Sequence, residues 1–294
     1  MARLAAPLQG FDAPPKKRNS KPQQQTRTHT HTHHLRTTMP VPTISAPASR
    51  FPSVPITPAP IMPIKVKICG LSTKATMAAA VAAGADYVGL VFYRPSPRNV
   101  TLAQAAELAA MARGRAIIVA LLVDPDDDAL REVMQAVDPD LVQLHGSETA
   151  ERTRRIAELC QRPVMKAVRV ASASDARTAL DYKAAADLIL FDARPPRAQQ
   201  LQHRSLSHND TKPLPGGNGM AFDWTALNGV RETVDFMLSG GLDEENVAAA
   251  ITATGAKAVD VSSGVESAPG IKDIERIRRF IAAAKAAAPA QEQP

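Results

Sequence analysis

From residue 64 to about residue 285 the chain alternates short apolar runs with alanine-rich stretches of helical period. Eight runs read as strands: 65–69 (KVKIC), 86–92 (DYVGLVF), 116–123 (AIIVALLV), 140–144 (DLVQL), 164–168 (VMKAV), 187–191 (DLILF), 235–238 (DFML) and 257–261 (KAVDV). They are apolar almost throughout, as expected of parallel strands covered on both faces. The segments between them carry helix starts. Thr101 with Gln104 makes a capping box, Asp124 precedes Pro125 at a first helical position, and Ser172 pairs with Asp175. Further helical patterns cover 73–83, 148–160, 223–232, 243–253 and 271–285. Eight strands, each followed by a helix, predict an α/β fold of the (β/α)8 barrel type, a TIM barrel, rather than an open sheet.

Residues 1–62 have a different texture. They hold 11 of the 24 prolines, a glutamine run and the sequence THTHTHH, with no sustained apolar period. Such a segment buries too little surface to offset chain entropy, which predicts a disordered basic extension ahead of a catalytic barrel spanning 63–294. A dispensable tail, or translation from Met39 or Met62, competes with loose metal binding by the histidines, nucleic-acid contact and a transit peptide. Prolines oppose the amphipathic helix a transit peptide needs.

The net charge of +6 changes meaning once divided, because residues 1–62 hold eight Lys/Arg and one acid, leaving 27 basic and 28 acidic residues in 63–294. The barrel is close to neutral, so no nucleic-acid partner is expected for it. Two cysteines without metal-ligand spacing argue against a disulfide framework or structural zinc. The absence of a long apolar segment argues against a membrane span. A reducing, cytoplasmic setting follows as the expectation.

Barrel strands alternate between interior and helix-facing side chains, with chemistry at their C-terminal ends. If Val66 and Ile68 face the helices, Lys67 and Cys69 face inward. The same parity turns Gln143 and His145, Leu188, Leu190 and Asp192, and Asp260 and Ser262 inward. Closure places the eighth strand beside the first, so Lys67 can pair with Asp260. A cation near Cys69 favours the thiolate and makes the sulfur a usable base. Cys160, late in a helix, reads as a small buried hydrophobe. Asp192 has no structural task visible in the sequence, and burial favours the protonated form of a carboxyl group, as a general acid requires.

Glycines in LSGGL (238–242) and VSSGVES (261–267) follow the last two strands, where backbone N–H groups can close on a phosphate. A short helix N-terminus behind Gly264 would complete that site. A third cluster, PGGNG (215–219), ends a long loop that begins near Ala193 and reads as a flexible insertion. Arg98, in YRPSPRNV after the second strand, stands at the rim, where it can clamp a carboxylate.

The blocks VKICGLS, ADYVGLVFYRPSPRNV, VQLHGSE, LILFD, GGNGMAFDW, LSGGL and VDVSSGVE occur in the order of the phosphoribosylanthranilate isomerase family, which the chain resembles over 64 to about 285. The resemblance implies an Amadori rearrangement in tryptophan synthesis, on a small phosphorylated substrate and without metal or organic cofactor, by a monomer or homodimer. It also implies that Cys69 is the general base and Asp192 the general acid. Arg98 resembles the residue that contacts the anthranilate carboxylate, and Asp260 a polar residue near the substrate. Gly217 and Gly219, Gly240 and Gly241, and Ser263 and Gly264 resemble the phosphate loops. Asn218 and Met220 depart from the family pattern GGTGKxFDW. Two phosphosugar barrels, indole-glycerol-phosphate synthase and the histidine-pathway isomerase, share the glycine loops, but a first strand ending in Cys69 opposes both. A reading from another class is a catalytically silent scaffold with a nucleic-acid-binding tail.

Overall fold

The computed structural model describes residues 63–193 and 222–287. The expectations for residues 1–62, for the insertion before Gly216, and for Gly217, Asn218, Gly219 and Met220 fall outside them. Eight parallel strands close into a ring in chain order: β1 (Lys65–Cys69), β2 (Tyr87–Phe92), β3 (Ile117–Leu122), β4 (Leu141–Leu144), β5 (Val164–Val170), β6 (Leu188–Ala193), β7 (Phe236–Leu238) and β8 (Ala258–Val261). The expected barrel is thus present, with strand ends displaced by a residue or two. Around it lie α1 (Lys74–Ala82), α2 (Leu102–Ala112), α3 (Asp127–Val137), α4 (Ala150–Cys160), α5 (Ala173–Arg177), α6 (Val247–Thr254) and α7 (Ile274–Ala286). No helix among the described residues is long and apolar enough to cross a membrane.

Alternation along the strands builds two layers. Val66, Ile68, Val88, Leu90, Ile118 and Phe191 pack outward against the helices, in the larger core. Val119, Leu141, Met165, Ala167, Leu190 and Met237 fill the barrel interior. Above that plug Cys69 packs with Val91 and Leu121. The plug makes the floor of a site that opens only at the C-terminal ends of the strands.

Local signals hold at most helix starts. The hydroxyl of Thr101 accepts from Gln104 N–H at 3.2 Å, although the Gln104 amide reaches Ser72 O instead of closing the capping box. Ser172 caps α5 as expected. The start predicted at Asp124–Pro125 is corrected: Asp126 caps α3, while Asp124 takes a left-handed φ of 46° and accepts from Ser147 N–H at 2.6 Å. The helix predicted over 223–232 is one 3-10 turn, Trp224–Leu227, because Asn228 and Gly229 leave the helical conformation. A feature with no signal in the apolar pattern follows β8. Strands β9 (Glu266–Ala268) and β10 (Ile271–Lys272) form an antiparallel hairpin ahead of α7.

Candidate active site

Cys69 ends β1 with its side chain turned inward and 4% exposed. Two residues earlier Lys67, fully buried, donates to Asp260 Oδ1 at 2.8 Å across the β1–β8 seam, where the two residues are register partners. Ser239, just after β7, donates to the other oxygen, Oδ2, at 3.1 Å. The expected ion pair is therefore present, and both Asp260 oxygens are engaged by protein groups. Room for these side chains comes from β2. A Cβ at Gly89 would lie 3.0 Å from Cys69 Sγ and 3.3 Å from Lys67 Nζ, so glycine in the middle of a buried strand keeps the space open.

Lys67 favours the Cys69 thiolate as expected, but burial outweighs it. Burial pushes the Cys69 thiol above its ordinary range. Lys67 and Lys272 pull against it, but Asp260 adds to the rise. For Lys67, burial pulls downward, and Asp260 and Cys69 more than compensate, so the ammonium is retained. Asp260 answers much of the charge with which Lys67 would otherwise favour the thiolate.

Three steps round the ring stands Asp192, inside β6 and 5% exposed. Its Oδ2 lies 3.1 Å from His145 Nε2, and His145 Nδ1 lies 3.0 Å from Gln143 Nε2. With the Gln143 amide in this orientation Nδ1 accepts and Nε2–H faces the carboxyl group, and the reversed amide gives the other tautomer. Gln143 Oε1 is buried without a partner. Gln143 and His145 face inward as their parity predicts, but strand parity alone does not couple them to Asp192. Arg169 was missed because the predicted fifth strand stopped at Val168. It is the β5 partner of Asp192 in register, and its Nη2 donates to His145 O at 3.3 Å.

Arg98, expected at the rim, is a buried side chain. It is 6% exposed, and its Nε and Nη2 donate to Glu266 Oε1 and Oε2 at 2.7 and 2.8 Å. Glu266 also accepts from Lys272 Nζ at 2.7 Å and from Gly270 N–H at 3.2 Å. Burial alone would raise the Glu266 carboxyl, but Arg98 and Lys272 hold it below the usual range. Neither Glu266 nor Lys272 was singled out in the sequence, since both sit on the unforeseen hairpin.

The family described as N-(5'-phosphoribosyl)anthranilate (PRA) isomerase matches residues 66–283. The chain belongs to this family. It is 53% identical over 225 residues to the N-(5'-phosphoribosyl)anthranilate isomerase of Rhodopseudomonas palustris, covering 76% of this chain and 97% of the relative. Phosphoribosyl anthranilate isomerase from Thermotoga maritima shares its fold at a TM-score of 0.64 and 35% identity, over 76% of this chain and 98% of that one. A phosphoribosyl anthranilate isomerase solved in complex with reduced 1-(o-carboxyphenylamino)-1-deoxyribulose 5-phosphate matches at 0.63 and 34%, with the same coverage.

In this member of the family the loops after β7 and β8 pack backbone on backbone. Gly240 has φ 90°, and a Cβ there would meet Ala193 N at 2.4 Å. A Cβ on Gly264 would meet Leu242 O at 2.0 Å. Gly241 also takes a left-handed φ, of 64°. Close packing of the loops thus requires Gly240 and Gly264 in its own right. The expected helix N-terminus behind Gly264 is corrected to a three-residue 3-10 turn, Ser263–Val265, that runs straight into β9.

Proposed function

We propose that this barrel is a phosphoribosylanthranilate isomerase in which Cys69 is the general base and Asp192 the general acid. The reaction converts N-(5-phosphoribosyl)anthranilate to 1-(o-carboxyphenylamino)-1-deoxyribulose 5-phosphate, the third step of tryptophan synthesis from chorismate. The observation that carries the assignment of roles is the inward thiol of β1 and the inward carboxyl of β6 at the same end of one barrel, on different strands above a packed floor. An acid and a base must stand apart because the two protons move at different atoms.

Asp192 donates to the ribose ring oxygen, the C1–O bond breaks, and the anilino nitrogen's electron pair forms a C1=N iminium. That cation acidifies the hydrogen on C2. Cys69 removes it, the electron pair flows into the iminium, and the resulting enolamine gains a proton at C1 as its C2 hydroxyl gives one up, leaving the ketone. Lys67 and Lys272 favour the thiolate that this step requires, against burial. His145 is a positioning residue. With its proton on Nε2 it supports the carboxylate left after donation. With the Gln143 amide turned so that Oε1 faces Nδ1–H, Nε2 becomes the acceptor for a protonated Asp192.

The backbone of Gly240, Gly241, Ser263 and Gly264 is where the phosphate would bind, with Arg98 taking the aromatic carboxylate. Asp260 acts through Lys67. The cytoplasm suits such an enzyme.

The test is purified protein with freshly made phosphoribosylanthranilate, following loss of its fluorescence. Turnover is expected, and Cys69→Ala and Asp192→Asn should each lower kcat by about 10²–10⁴-fold while melting within a few degrees of the parent. A folded protein without turnover, and without growth when residues 62–294 replace the isomerase of a tryptophan auxotroph, would favour the silent scaffold.

A further inference from the structure

The three charged groups beside Cys69 do not balance. Glu266 is one buried anion between two buried cations, Arg98 and Lys272, while Lys67 is already matched by Asp260. Burial pulls Lys272 below the ordinary lysine range, against the opposite pull of Glu266, but its hydrogen bonds are those of an ammonium. It donates to Glu266 Oε1 at 2.7 Å, Ser262 O at 2.8 Å and Ser262 Oγ at 3.2 Å. With the Ser262 hydroxyl donating to Cys69 O at 3.2 Å, Lys272 supplies all three protons, one more than a neutral amine has. The cluster therefore carries one net positive charge in a buried place. A buried charge of that kind calls for an anion.

Geometry says which anion. The Arg98 stem lies on Gly70, where a Cβ would come within 2.7 Å of Arg98 Cδ, so the side chain crosses the backbone directly after Cys69. The Nε–Nη2 edge is used up on Glu266. The end-on edge, Nη1 with the second proton of Nη2, makes no hydrogen bond within the described residues and matches a planar carboxylate. The hairpin locks the arrangement from the other side. Gly270 donates to Glu266 Oε2, and a Cβ there would strike Pro97 O at 2.6 Å, in the same loop as Arg98.

We propose that Glu266 is a positioning residue that aims the end-on edge of Arg98, and that Lys272 keeps the cluster cationic despite Glu266. Together they make a subsite selecting an aryl amine that bears a carboxylate. The proposal rests on the substrate reading above. Glu266 without Lys272 would neutralise the arginine it orients; with Lys272 it orients without cancelling.

The experiment compares phosphoribosylanthranilate with the same phosphoribosylamine built on aniline, which lacks the carboxylate. In Glu266→Gln the preference for the carboxylated compound, as a ratio of kcat/KM values, should fall about tenfold or more, with most of the loss in KM. Lys272→Met should lower the same ratio, and it decides the matter if Glu266→Gln does not fold. An equal loss on both compounds in whichever variant folds would overturn the proposal and leave the hairpin a structural clasp. Arg98→Lys separates the two layers. If it changes the ratio and the other two do not, the carboxylate reading of Arg98 survives and the roles of Glu266 and Lys272 fall. If it too leaves the ratio untouched, the substrate reading at this position falls first, and the proposal with it.

Discussion

His145 Nε2 stands 3.1 Å from Asp192 Oδ2 with both side chains buried, so the carboxyl group assigned as the acid is held by an imidazole whose other nitrogen is held by Gln143. Replacing His145 by Asn keeps a donor but removes the ring's ability to exchange a proton. The expected result is a kcat lower by about one to two orders of magnitude with little change in KM, and an altered pH dependence of kcat. A His145→Asn enzyme whose pH profile and kcat matched the parent would remove the histidine from the acid's machinery.

Lys67 and Asp260 bind each other in the barrel seam with side chains 0% and 5% exposed. Lys67→Met leaves Asp260 an uncompensated buried anion, which should cost about 3–5 kcal/mol in chemical denaturation. Lys67→Met with Asp260→Leu should recover much of that loss. It should not recover turnover, because the cation that favours the Cys69 thiolate is gone. Equal stability of the single and double variants would contradict the pairing.

Raised by burial, the Cys69 thiol should titrate above the ordinary value of about 8.5, followed by thiolate absorbance in a Cys160→Ser background. The sign for stability follows. A folded-state value raised above the unfolded one contributes stability that is fully present below about pH 8.5 and is lost as pH rises through the folded-state value. Cys69→Ala should therefore be less sensitive to alkali than the parent. A thiol titrating below the ordinary value in the unliganded protein would reverse the prediction.

Glu266 behaves in the opposite sense. Held low by Arg98 and Lys272 against its burial, it contributes stability that is present above about pH 4.3 and lost as pH falls through its folded-state value. Thermal melts of Glu266→Gln across the acid range should show a shallower fall than the parent. Parallel curves would mean that the carboxylate is not held as described.

At Gly89 a methyl group would enter the space of Cys69 Sγ and Lys67 Nζ. Gly89→Ala should fold with a modest loss, since strand propensity favours alanine over glycine, yet turnover should fall by about tenfold or more because a shift of an ångström at the proposed base is costly. Unchanged turnover would show that the thiol can move without consequence.

Period-two alternation, once eight strands were counted, determined which side chains of this protein face inward. Lys67, Cys69, His145, Asp192 and Asp260 needed only strand parity and the rule that a closed barrel fills its interior, because side-chain direction in a strand is a local property. Helix caps such as Thr101 and Ser172 were legible for the same reason. The tertiary structure alone decided who partners whom. Arg98 meets Glu266 across 168 residues through a hairpin that has no apolar period. The protonation of Cys69 likewise belongs to no short stretch of chain, since it is the balance between loss of water, Lys67 on its own strand and the charges of Asp260 and Lys272 on two other segments, and desolvation exists only once the barrel has closed around the sulfur.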